Sequence, residues 1–126
     1  MTDRKTHYLA GMKLFGADRH AEAIEEYAKA LTLSPDWTDA LHALATSYSK
    51  LGRQDEAIAT VQRIIELEPD DAFAYTSLSI FLQRKGQIPE AEAAAAKARM
   101  INWKQELKTN PKAPPPAPPG GMSVVQ

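Results

Sequence analysis

The sequence contains no cysteine in its 126 residues, which excludes disulfides and thiolate metal sites. No apolar run approaches the roughly 20 residues that span a bilayer, so a membrane partner is not expected. The net charge is −1, giving no general pull toward nucleic acid or anionic lipid. The opening residues, Met1-Thr-Asp-Arg-Lys-Thr-His, lack the apolar core of a signal peptide, and the cytoplasm is the expected compartment. There is no glycine-rich phosphate loop, and the spacing of His7, His20 and His42 fits no metal or nucleophile motif. We expect His7 at a core slot, His20 in a turn, and His42 on a binding face, solvated. Glu22, Glu25 and Glu26 resemble a paired acidic site, but nothing nearby in sequence would polarise them, and a solvated helix face is expected. The chain is therefore read as a non-enzyme without cofactor or metal.

What the chain does contain is a period. Ala23, Ala57 and Ala91 are spaced 34 residues apart, and so are Pro35 and Pro69. A repeat of this size marks stacked supersecondary units. Hydrophobic residues make up 44% and charged residues 25%, which suits one globular domain.

The first unit is predicted as helices over Arg4–Gly16 and His20–Leu33, with Thr2 or Asp3 as the first cap. His7, Ala10, Gly11 and Leu14 fall on one face at i, i+3, i+4 and i+7. Gly11 costs about 1 kcal/mol against alanine inside a helix. That cost is tolerable where another helix approaches closely, and the candidate partner is Tyr27, on a face with Ala23 and Ala30. Pro35 ends the unit.

The second unit is predicted as Trp37–Lys50, capped by Asp36, and Gln54–Leu67, with Gly52 as the left-handed residue between them. Its inner faces are Leu41, Leu44, Ala45 and Tyr48, then Ala57, Val61 and Ile64. The third is predicted as Asp71–Lys85, capped by Asp70, and a helix with Pro89 in its first turn. Its inner faces are Tyr75, Leu78, Ser79 and Leu82, then Ala91, Ala95 and Ala98. Trp103 stands where Pro35 and Pro69 stood, so this last helix should run on to about Lys108.

These residues resemble the tetratricopeptide repeat, a 34-residue helix–turn–helix unit. The middle unit matches its motif with Leu41, Leu44-Ala45, Tyr48, Gly52, Ala57, Val61, Ile64 and Pro69. The first matches with Gly11, Leu14, Ala23, Tyr27, Ala30 and Pro35, and the third with Tyr75, Leu78, Leu82, Gly86, Ala91 and Ala98. The resemblance covers about residues 4 to 103. It implies an all-α fold, a right-handed superhelical solenoid of three repeats at about 4–37, 38–71 and 72–109. It also implies a protein-binding scaffold.

Helices this short are marginal alone in water, so stacking must stabilise them. Ile24 and Leu31, then Ile58 and Ile65, should cover the following unit. Their third-unit counterparts are Glu92 and Arg99. At the other end Thr6 and Lys13 stand where Ala40/Ser47 and Ala74/Phe81 stand later. A complete three-repeat array is expected, with Trp103 and Leu107 capping its C-terminal end.

The first helix of each unit should line an inner groove. In unit one the groove positions are Tyr8, Met12 and Phe15. In unit two they are His42, Thr46, Ser49 and Lys50. In unit three they are Phe73, Thr76, Ile80, Gln83 and Arg84. This groove would be apolar at both flanks and polar between, with Lys50 and Arg84 as cations. It suits a partner peptide with apolar anchors and an acidic group. The competing reading is that Tyr8, Met12 and Phe15 pack as core; unit one already has a full inner face, which favours the groove. A subset of the resembled family grips the C-terminal carboxylate of chaperone tails. Tyr8 and Met12 occupy the slots where that clamp starts, and Thr46 a slot for asparagine, so a chaperone-tail ligand is not expected.

Residues 110–126 change character. The Pro/Gly-rich run cannot form a core and is predicted as disordered, extended polyproline II. Lys112, Pro115 and Pro118 fit a basic-plus-PxxP pattern, for which a semi-rigid spacer is the plainer reading. At about 3.1 Å per residue the tail, ending in Met122-Ser-Val-Val-Gln, could reach a groove. Two function classes follow: a monomeric adaptor that binds a partner protein, or a structural element that self-associates through its terminal helices or tail. The polar ends favour the adaptor.

Overall fold

The computed structural model describes residues 3–116. Thr2, Pro118 and the Met122–Gln126 stretch lie outside the described residues. Among the described residues six α-helices follow one another: α1 (Arg4–Gly16), α2 (His20–Leu33), α3 (Thr38–Lys50), α4 (Gln54–Leu67), α5 (Ala72–Lys85) and α6 (Ile88–Leu107). Each packs on its chain neighbours, and α3 also approaches both α1 and α5. Among the described residues, no helix is long and apolar enough to cross a membrane.

The three tight turns share one construction. Asp18, Gly52 and Gly86 all have positive φ, at 66°, 79° and 90°. The amide of the next residue donates to a helix carbonyl five residues back: Arg19 to Leu14, Arg53 to Tyr48 and Gln87 to Leu82, each at 2.9 Å. This is the Schellman closure, which satisfies carbonyls orphaned at a helix end. Every member of these sets is spaced by the sequence period.

The inner faces of α2 and α4 lie where the periodicity puts them. Ala23, Tyr27, Ala30, Ala57, Val61 and Ile64 are at most 1% exposed. A Cβ built on Gly11 would lie 2.4 Å from Tyr27 Cε1, so the glycine is required by close approach. The stacking contacts also follow the pattern, with Leu31, Ile58 and Ile65 packed against the central cluster. Thr6, Lys13 and Glu92 are exposed, whereas Ala40, Ser47, Ala74 and Phe81 are buried.

Several local expectations differ. Asp3 caps α1 through the Thr6 amide. Asp36, by contrast, does not cap α3; its carboxylate pairs with Arg63 at 2.6 Å across to α4. The cap of α5 is Asp71, not Asp70, and it accepts from the Ala74 amide. On α5 the buried residues are Ala74, Ser77, Phe81 and Leu82, while Tyr75, Leu78 and Ser79 are half-buried. Ala74 and Phe81 pack with bulky Val61 and Ile64 of α4, whereas Tyr75 and Leu78 line a cleft beside α6. On α6 Ala94 is buried and Ala95 half-buried.

The α6 helix runs past Trp103, as expected from the missing proline. The segment after it is not extended from Asn110. Ala113 N–H donates to Asn110 C=O, closing a turn. The Trp103 indole N–H then donates to Ala113 C=O at 3.0 Å, and Ala113 is buried. The Trp103 side chain is therefore tied to the chain's own first proline-rich residues.

Candidate functional site

Helices α1, α3 and α5 form one face, and all twelve groove residues read from the sequence belong to these helices. At its α1 end is a depression of about 240 Å³ lined by Tyr8, Met12, Phe15, Tyr27, Ala43 and Thr46. Met12 is 48% exposed. Tyr8 and Phe15 are half-buried and pack against the cluster of Ala23, Tyr27 and Leu44. Within this trio Tyr8 and Phe15 pack as part of the core, while Met12 stands exposed beside them.

Tyr8 is fixed by ring contacts, with centroids 5.9 Å from Tyr27 and 4.8 Å from Trp37. Arg4 lies over the Trp37 ring at 4.5 Å. Burial pushes the Tyr27 hydroxyl up to about 12, with a smaller contribution from Tyr8. The Tyr8 hydroxyl is also raised, first by burial and then by the Asp39 charge. Both phenols stay neutral at physiological pH, so the depression is apolar and uncharged.

In the middle of the face, His42 Nε2 is 2.9 Å from Asp71. Its ring lies 4.8 Å from that of Phe73, which is 61% exposed. His42 is therefore an anchored linker between α3 and the cap of α5, not a solvated side chain. Thr46 and Thr76 return their hydroxyls to the carbonyls of His42 and Ala72. Ser49 departs furthest from expectation. It is buried, donates to Gln54 and accepts from Arg84 at 2.6 Å. It ties α3 to α5 rather than facing a ligand. Arg84, exposed, keeps further N–H donors beyond that bond. Lys50, Gln83 and Ile80 are exposed.

His20 also departs from its expected place in a turn. His20 opens α2, is buried, and sits 2.8 Å from Asp18, with Phe15 edge-on to its ring. His7 lies 3.0 Å from Glu26. Glu26 is accordingly not a plain solvated carboxylate; the His7 contact, followed by Lys29, holds it below the usual range. Sequence reasoning missed Trp37, Asp71 and Ala43 at this face. Their roles come from contacts between units, which a 34-residue period does not encode.

Comparison with known proteins places this arrangement. A tetratricopeptide repeat model matches residues 14–79. The rat (Rattus norvegicus) DnaJ homolog subfamily C member 3 is 29% identical over 109 residues, covering 86% of this chain and 20% of that protein. The chain thus spans about one fifth of that relative's length. A crystal structure of MamA is 28% identical with a TM-score of 0.79, covering 83% of this chain and 61% of that one. The first tetratricopeptide repeat domain of Spaghetti (RPAP3), solved bound to HSP90 peptide SRMEEVD, superposes with a TM-score of 0.72 at 18% identity. Its match covers 88% of this chain and 82% of that one, and at that identity the likeness is one of fold alone. With the matched model spanning more than half of its residues, the chain belongs to the tetratricopeptide repeat family.

Proposed function

We propose that this protein is a non-catalytic adaptor whose α1–α3–α5 face holds a peptide segment of a partner protein. The three helix pairs act as three repeats, and Trp103 with the turn at 110–113 caps the C-terminal pair. The ligand carries an apolar anchor and an acidic group. One juxtaposition supports this reading: the apolar depression under exposed Met12 shares a face with the cations Lys50 and Arg84. A protein of the same fold has been solved with a peptide bound, so the scaffold is compatible with such a ligand. A chaperone tail is not the proposed ligand, because apolar Tyr8 and Met12 stand where a carboxylate clamp would begin.

Selection of 12-residue peptides from a display library, followed by titration calorimetry, tests the reading. Met12→Ser and Arg84→Ala should each weaken the selected peptides about tenfold, matching ~1.4 kcal/mol per contact. Tyr8 and Phe15 are unsuitable targets, because they support the core. Unchanged affinity in both variants would overturn the assignment. Tight binding of SRMEEVD would overturn the exclusion of chaperone tails.

A further inference from the structure

A second groove lies between α4 and α6, floored by α5. A cleft of about 540 Å³ has Ile58, Tyr75, Leu78, Leu82 and Ala94 as apolar lining. It shares Lys97 with a smaller hollow of about 220 Å³ that continues along α6 past Met100 and Ile101 to Lys104 and Lys108. Glu90, Lys97, Lys104 and Lys108 recur at near-helical spacing, so one face of α6 borders the whole length.

The repeat register shows why the groove is open here. At the seam between α2 and α4, Tyr48 and Thr60 occupy the positions of Leu82 and Ala94. Arg53 lies over the Tyr48 ring at 4.9 Å, and Arg63 reaches Asp36 at 2.6 Å. Thirty-four residues on, Gln87 replaces Arg53 and Lys97 replaces Arg63. Lys97 and Asp70 line the same hollow without forming an ion pair. Both fastenings of the first seam are missing from the second, and Leu82 and Ala94 are smaller than Tyr48 and Thr60. The lining is thus apolar toward the start of α6. Toward its end stand Lys97, Lys104 and Lys108, none of them ion-paired among the described residues. The near mouth is already neutralised by the Lys85–Asp55 pair at 2.5 Å.

We infer that the α4–α6 groove is a second docking site, which takes an acidic amphipathic helix from a partner protein. Apolar residues of that helix enter the cleft over Leu78 and Leu82, and its carboxylates meet Lys97, Lys104 and Lys108. Complementary charge supplies steering and orientation, and apolar burial supplies the helix-in-groove contact. The site is separate from the α1–α3–α5 face and does not depend on that reading.

The probe is a fluorescein-labelled 16-residue helix with leucines at i, i+3, i+4 and i+7 in one half and four glutamates in the other, made in both orders. Anisotropy with the full chain should show saturable binding of one order, weakened by salt. Lys104→Glu/Lys108→Glu, both exposed, should weaken it at least tenfold with helicity kept. Ala94→Thr/Gln87→Arg, which restores the residues of the first seam, should do the same. Met12→Ser should leave it unchanged, which separates this site from the first. No saturable binding, or binding insensitive to both double variants, overturns the inference. A concentration-dependent dimer abolished by the same variants would make a second copy the occupant and overturn the partner assignment. Tighter binding after Val124→Asp/Val125→Asp would do so in favour of the chain's own tail.

Discussion

Gly11→Ala separates two opposed expectations. Helix propensity alone favours alanine by about 1 kcal/mol. The structure reverses the sign. The new methyl would lie 2.4, 2.6 and 2.9 Å from Tyr27 Cε1, Cδ1 and Cζ, where carbon contacts are comfortable at about 3.5–4.0 Å. The ring or the whole of α1 must shift by about 1 Å. Tyr27 is 1% exposed and packed against Tyr8 and Leu44, so it has nowhere to turn. Overpacking of this kind costs roughly 1–3 kcal/mol and can cost more. With contacts of 2.4–2.9 Å the upper part of that range, about 2–3 kcal/mol, applies, so after the propensity gain a net loss of about 1–2 kcal/mol is expected, and a Tm lower by about 5 °C. Urea unfolding followed by circular dichroism should give a lower midpoint at unchanged m-value. In a Tyr27→Val background the obstacle is gone, and Gly11→Ala should become neutral or stabilising. A Gly11→Ala protein more stable than the parent would refute the close approach and the α1–α2 packing built on it.

Three further outcomes follow from named contacts. Asp71→Ala removes both the cap of α5 and the partner of His42, and should cost about 1 kcal/mol in urea unfolding. The Tyr27 pKa is raised to about 12 by burial, so the folded state keeps a proton that the unfolded chain releases near pH 10. Its contribution is intact below pH 10 and lost as pH rises toward 12; Tyr27→Phe should flatten that part of the stability profile. Trp103→Phe keeps the ring but removes the N–H bonded to Ala113. It should cost about 1 kcal/mol, and near-ultraviolet circular dichroism should show whether the 110–113 turn stays docked.

The helix boundaries were legible because they rest on local signals: prolines, turn residues and the 3.6-residue apolar period. The Gly11–Tyr27 pairing was legible because small-against-large is a rule between sequential helices. What was not legible lies between units. Asp36 looks like a cap and instead reaches Arg63 on α4. Ser49 looks like a groove residue and instead joins Gln54 and Arg84. Asp18 hides the first turn, because it adopts the left-handed conformation that Gly52 and Gly86 adopt at the same register. The proline-rich composition of 110–116 argues against a core, yet one indole donor is enough to fix Ala113. On the candidate face, the helix that carries each residue followed from the register. The depth of each side chain did not, since Tyr8 packs on the Trp37 ring and is half-buried while Met12, on the same stripe, is 48% exposed.

The most direct test of the central claim is the amide NMR spectrum of the full chain titrated with a peptide selected for binding. With a ligand on the α1–α3–α5 face, the largest shifts fall on Met12, Thr46, Ile80, Arg84 and their neighbours on α1, α3 and α5. Shifts confined to α2 and the outer surface of α4, with that face unmoved, would contradict it.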